Sequence, residues 1–323
     1  IIMKKRIISL AAAAVFVLGT LAGCGNSSTQ TTDKTASSDA SSSGGDLVTV
    51  RDAVMTGQLD QYATEIGLWQ GIFEKYGIDL QTTEFVAGIN TIDAVVNGTA
   101  DIGMMADYAA VNRLGNTLDA TNLQIFSQIS GGQSALSGGL YVDPKYADDP
   151  KSLDGSAGFM YQEGTVTYYY ASKCIEYLGL DESKQNLINT DSSQTRLALI
   201  QKGGASAVYA NGSEAKYIEE AGWVQVATSQ EIGIQTGSYF LSTDKYISEN
   251  TDTLAKFLQA VDESTQYIND HLDESAEYLA DKLGLKAEDF KENWKNYSFE
   301  PGFSEEATTH LEDIEKWGFE HGS

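Results

Sequence analysis

One plan occurs twice in this chain. VVNGTADIGMMA (95–106) and LIQKGGASAVYAN (199–211) each run from a helix end through a glycine turn into a short apolar strand. A unit repeated so far apart predicts two lobes of similar construction rather than one meandering sheet. Other strand-like runs are LVTVRDAV (47–54), IDLQTTEF (78–85), LQIFSQIS (123–130), GLYVD (139–143) and SAGFMY (156–161). Between the first two, YATEIGLWQGIFEKYG carries apolar residues at helical spacing and ends on a glycine suited to a C-cap. Strand and helix alternate, which predicts βαβ units, mainly parallel sheet and an α/β fold. From about Glu249 the pattern changes to Leu, Ala, Glu and Lys at helical spacing, with helices expected near 251–270, 273–283, 286–296 and 304–318.

The first 23 residues read as an export signal: Lys4, Lys5 and Arg6, then an apolar run over 7–18, with Met3 as the expected start. That run is shorter than the roughly 20 residues a membrane-spanning helix needs. Leu21-Ala22-Gly23-Cys24 resembles the bacterial lipobox, which implies acylation of Cys24; an ordinary secretory signal with an incidental cysteine is the alternative. Residues 25–45 hold only small and polar side chains besides Lys34, so 24–46 is expected to be a lipidated, solvated tether.

The globular part carries most of 46 acidic residues against 21 basic in the whole chain, a formal charge of −25. Nucleic acid is a poor partner for such a surface, because phosphate binding needs clustered Lys and Arg. Cys174 is the only cysteine besides Cys24 and sits at a spacing that suits a buried helix face, where a thiol behaves as a small hydrophobe. The chain has no CxxC, no HExxH, no phosphate loop ending in GK[ST] and no GxSxG. His271, His310 and His321 all fall in the helical C-terminal section and are expected to be solvated. DESKQNLINTDSSQ lacks the spacing of a calcium loop and reads as a solvated connection before a helix starting near Ser193. Neither an enzyme, a cofactor nor a metal is expected.

GLWQGIFEKYGIDLQ (67–81), AGIN (87–90), AVVNGTADIGMM (94–105), the crossing SGGLYVDPKYADDPKSLDGSAGFMYQEGT and the LALIQKGGASAVYA block occur in an order that resembles the nitrate, sulfonate and taurine family of solute-binding proteins. Relatives that bind pyrimidine precursors of thiamine belong to the same group. The resemblance spans most of 47–320. It implies a two-lobed, hinged type II periplasmic-binding-protein fold, a monomer serving an ATP-binding-cassette permease with its ATPase, and a small organic solute, a sulfonate- or taurine-like zwitterion or an aromatic or pyrimidine compound, held between the lobes. Combined with the lipobox, it implies a lipid-anchored protein on the outer face of a Gram-positive cell membrane. The expected division is 1–23 signal, 24–46 tether, 47–139 first lobe, 140–235 second lobe, and 236–323 return to the first lobe with C-terminal helices. Two departures stand out: Ser206 replaces a frequent Asp of the second repeat, and YANGSEA replaces the usual aromatic-acid-proline stretch. A solute sensor for a signalling receptor and a pyrimidine-synthesising enzyme are the alternatives; the enzyme would need reactive cleft histidine and cysteine.

Ligands of open α/β sheets bind outside the carboxyl ends of the strands, where helix N-termini present free amides. The expected ligand-binding residues are therefore Gln58, Asp60, Tyr62, Gly88, Asn90, Asp107, Tyr108, Gly132, Glu163, Gly164, Thr165, Tyr168, Tyr209 and Asn211. Asp60, Asp107 and Glu163 would disfavour a bare small anion and suit a ligand with a cationic or donor end. Tyr168 stands near the cleft end of its helix, whereas Tyr170 and Tyr177 share a face with Cys174 and are expected in the core. Tyr62, Tyr108 and Tyr209, together with Tyr161, could stack on a ring.

Overall fold

The computed structural model describes residues 47–117, 122–131, 138–153, 158–163, 165–295, 299 and 301–322. Cys24, Gly132 and Gly164 lie outside the described residues. No helix among the described residues is long and apolar enough to cross a membrane.

Among the described residues, ten strands form two five-stranded sheets. The first contains β1 (Val48–Met55), β2 (Ile78–Phe85), β3 (Ile102–Ala106), β4 (Leu123–Ser130) and β10 (Ser238–Thr243), in the order β2-β1-β3-β10-β4. The second contains β5 (Gly138–Val142), β6 (Gly158–Tyr161), β7 (Asn186–Asn189), β8 (Ala207–Asn211) and β9 (Val224–Thr228), in the order β7-β6-β8-β5-β9. Three strands of each sheet pair in parallel, and the fourth position, β10 or β5, runs antiparallel to both neighbours. Each sheet is therefore mixed, and the repeat read in the sequence is β3 of one and β8 of the other.

The apolar run at 62–77 is two helices, Leu59–Trp69 and Ile72–Lys75, broken at Gly71, whose φ of 66° is left-handed. β7 lies inside the segment expected to be a solvated connection. It is a half-exposed edge strand with little apolar alternation to betray it. The helix that follows, Ser193–Gln201, starts where expected, with the Ser192 hydroxyl accepting the Thr195 amide at 3.2 Å.

Helices Thr251–Asp270, Leu272–Leu283 and Ala287–Trp294 pack on the first lobe, where Leu254, Phe257 and Phe290 join Val50, Leu59 and Phe240 in one core. The chain then passes the edge of β4, where the Gln128 amide donates to the Gly302 carbonyl at 2.8 Å. The C-terminal helix, Glu305–His321, enters a core made mostly of second-lobe residues such as Leu140, Phe159 and Cys174. Cys174 is fully buried, and burial raises its thiol pKa, so it packs as a hydrophobe.

Two expectations about the helices fail. Tyr177, the last residue of helix Val166–Tyr177, is 43 % exposed, while Tyr169 is buried beside Tyr170. His310 is buried rather than solvated, because its partner, Asp107, comes from 203 positions away and leaves no local signal.

Candidate functional site

Topology brings the two carboxyl edges face to face. β4 leaves the first sheet at Ser130, on the edge where β1, β2 and β3 also end. β5 enters the second sheet at Gly138, paired with Asn211 at the end of β8. The return runs from Thr228, the end of β9, to Ser238, paired with Ala106. Both crossovers thus join carboxyl edge to carboxyl edge, and the helices that follow β1, β2, β6, β7 and β8 start on those edges.

On the first lobe, helix Leu59–Trp69 begins at Gln58, which makes no side-chain cap. The Gly57 amide donates to Gln61 Oε1 at 2.7 Å and the Met55 amide to Asp60 Oδ2 at 3.2 Å. Asp60 is fully buried, its other oxygen has no partner among the described residues, and burial pushes its pKa up to about 7. Tyr62 lies edge-on to Phe290 at 5.1 Å. Helix Gly88–Val96 differs in being bare: Ala87 offers no capping oxygen and the first turn has no acidic residue. Asn90 N–H turns back to the Ala87 carbonyl at 3.0 Å, while the Gly88 and Ile89 amides find no acceptor among the described residues. Ile89 and Asn90 are exposed.

Asp107 is committed elsewhere. It is 1 % exposed, accepts from the Tyr108 amide at 2.6 Å and the Gly237 amide at 2.9 Å, and lies 2.7 Å from His310 Nε2. Tyr108 is buried, its ring 6.2 Å from that of Trp317.

On the second lobe, Glu163 is exposed and tied to Asn189, accepting from Nδ2 at 3.1 Å while its amide donates to Oδ1 at 3.0 Å. Thr165 is the N-cap of helix Val166–Tyr177; its hydroxyl accepts from the Thr167 amide at 3.3 Å and donates to the Gln162 carbonyl at 2.8 Å. Tyr168 packs against Tyr161, Trp317 and His321. Tyr209 is buried, within 3.0 Å of Ser229 Oγ, and burial pushes its pKa up to about 12. Asn211 precedes helix Gly212–Glu220 without a side-chain cap. An open concavity of about 610 Å³ is lined by Gln162, Glu163, Asn189, Thr190, Asp191 and Thr195.

Gln58, Gly88 and Asn90 thus share one carboxyl edge, and Glu163, Thr165 and Asn211 share the other. Asp60, Asp107, Tyr108 and Tyr209 are buried, and Tyr62 is half-buried against Phe290. Sequence reasoning missed Arg196. This buried side chain makes a bidentate pair with Glu214 at 2.6 and 3.0 Å and also donates to Thr190 and Ser193, fixing the helix starts after β7 and β8 against each other. Its signal was weak, an arginine on a helix of mixed character.

The fold is shared with known binding proteins. The periplasmic aliphatic sulphonate binding protein SsuA of Escherichia coli superposes with a TM-score of 0.70 at 16% identity, covering 84% of this chain and 92% of that one. The alkanesulfonate-binding protein SsuA of Xanthomonas axonopodis pv. citri, bound to MOPS, gives 0.61 at 14% identity, covering 85% and 94%. The periplasmic nitrate-binding protein NrtA of Synechocystis PCC 6803 gives 0.54 at 16% identity, covering 81% and 74%. No curated protein matches the sequence. The two-lobed periplasmic-binding-protein architecture expected from the sequence is therefore the fold observed. Residues 66–275 match the family described as NMT1/THI5 like, and with that match spanning well over half of its length, the chain belongs to the NMT1/THI5-like family.

Proposed function

We propose that this protein captures a small organic solute between its lobes, outside the cytoplasmic membrane, and delivers it to an ATP-driven permease. It acts as a monomer and makes or breaks no bond in the solute. The first lobe ends with β4 and resumes at 236, and the second runs from β5, which starts at Gly138 rather than at the expected 140, to 235. The observation that carries the reading is the uncapped start of helix Gly88–Val96, whose Gly88 and Ile89 amides are available to an electronegative group. Sulfonate and nitrate binders among the structural relatives support the same reading. Glu163 on the opposing edge suits a donor or cationic end. Because Tyr62, Tyr108 and Tyr209 are packed against protein groups, ring stacking is the weaker basis for selection. A zwitterion with a sulfonate-like head, of the taurine type, fits best.

A thermal-shift screen of taurine, alkanesulfonates, nitrate, amino acids and aminopyrimidines tests this. The cognate solute at one hundred times its Kd should add about 2.7 kcal/mol of stability. Ile89→Pro removes one amide at a position in the first helical turn that tolerates proline, and glycine precedes it. That variant should bind the best solute of the screen about tenfold or more weakly, the scale of one hydrogen bond to a charged group. If no solute stabilises the protein, or Ile89→Pro binds as tightly as wild type, the reading is wrong.

The anchor is part of the same proposal. Cys24→Ala should release the protein from membranes into the medium or periplasmic fraction, whereas equal retention of both forms after a high-salt wash would remove the lipid from the account. An acyl chain contributes about 0.8 kcal/mol per buried methylene, so its loss is not compensated by an acidic surface.

A further inference from the structure

The C-terminal helix touches both lobes with the same side chain. Trp317 lies 6.2 Å from the ring of Tyr108 on the first lobe and 5.0 and 5.5 Å from Tyr168 and Tyr169 on the second. One turn on, His321 stacks on Trp317 at 4.4 Å and pairs with Glu182 of the second lobe at 3.2 Å. One side of the helix earlier, His310 meets Asp107, the first residue of helix Asp107–Thr117, and Asp107 also holds the Gly237 amide of the return crossover. Ala307, Leu311, Ile314 and Trp317 share one buried cluster with Tyr108, Val111 and Tyr239 from the first lobe and Phe159, Tyr169 and Cys174 from the second. Two lobes joined only by crossovers would share no such core. The far edges of the sheets, at the ends of β2 and β7, carry exposed Val86 and Asn189 instead.

We infer that the C-terminal helix is the fulcrum of lobe motion. Packed cores move as units rather than deform continuously, so the side held by Trp317 stays together and the lobes part at the β2 and β7 edges. Trp317 then sets the resting angle of the cleft even with no solute bound. This inference rests on the two-lobed fold and not on the identity of the solute.

The test uses the ligand-free full chain carrying Cys24→Ser, so that spin labels enter only at Val86→Cys and Tyr217→Cys, one exposed position on each lobe; Cys174 is fully buried. Pulsed dipolar spectroscopy reads the distance distribution between the labels. With Trp317→Ala, or with Tyr108→Leu, which trims only the first-lobe side of the contact, the distribution should broaden about twofold or shift its mean, as expected for a bistable joint that loses its bias. Trp317→Phe should restore most of the wild-type width. Trp69→Ala, which removes a ring stacked on Tyr278 within the first lobe, should leave the distribution unchanged. Circular dichroism separates unfolding from loosening, and if Trp317→Ala unfolds, Tyr108→Leu decides. Wild-type widths in the folded Trp317 and Tyr108 variants, or equal broadening in Trp69→Ala, would overturn the inference.

Discussion

Asp52→Asn is expected to make the protein more stable at pH 8 by about 2 kcal/mol, because the wild-type fold must there take up a proton that the unfolded chain has released. Asp52 sits in mid-strand on β1, 1 % exposed, and neither carboxylate oxygen has a partner among the described residues. Burial raises its pKa well above the usual carboxylate range, and neighbouring Asp60 raises it further. The folded state therefore holds a proton that the unfolded chain gives up near pH 4. A raised carboxyl pKa stabilises the fold fully below the unfolded value, and that contribution is lost as pH climbs toward the folded one. Asp60, pushed up to about 7, acts in the same direction. Asparagine also leaves polar atoms unpaired, as the protonated carboxyl does, but it is neutral at every pH and folding takes up no proton. Urea midpoints at pH 5 and pH 8 read the difference: the gain should be large at pH 8 and small at pH 5. A gain independent of pH, or a variant less stable at pH 8, would show that Asp52 is ionised and solvated by means other than its protein neighbours.

Arg196→Ala should cost about 3 kcal/mol of stability, at the low end for a broken buried ion pair because Glu214 keeps some exposure. The guanidinium reaches Glu214, Thr190 and Ser193 together, and no alanine or water-sized replacement restores that geometry. Arg196→Lys should recover less than half of the loss, since an ammonium cannot make the bidentate contact. Solute affinity should fall as well, because the helix starts after Ser192 and Asn211 lose their mutual tie. A denaturation midpoint within error of wild type would place this pair among the weak surface bridges, worth under about 1 kcal/mol.

The elements that could be read from the sequence are those whose burial is one-sided and local. IDLQTTEF and LQIFSQIS match β2 and β4 to the residue, and the long C-terminal helices fall within a few positions of their expected ends, because amphipathic spacing is a property of neighbours. β7, at a half-exposed edge, shows no such spacing. The candidate site was legible to the same degree. Strand ends followed by helix starts pointed to Gly88, Asn90, Glu163, Thr165 and Asn211, while the side chains set by long-range partners were not foreseeable. Asp107 with His310, Tyr209 with Tyr170 and Ser229, and Arg196 with Glu214 are all contacts between distant segments. Among aspartates and tyrosines near strand ends, composition alone does not separate the rim of a cleft from the core beneath it.

The insertion of the second sheet between β4 and β10 also orders events during biogenesis. β5 through β9 form an uninterrupted stretch of chain, so the second lobe can pair all of its strands as soon as Thr228 is free to fold. The first lobe cannot, because β10 occupies an interior position between β3 and β4, and until residue 243 is available those strands have unsatisfied edges facing one another. The half of the protein made first is thus the half completed last, and its open strands are the segment most exposed to mispairing before the chain is complete.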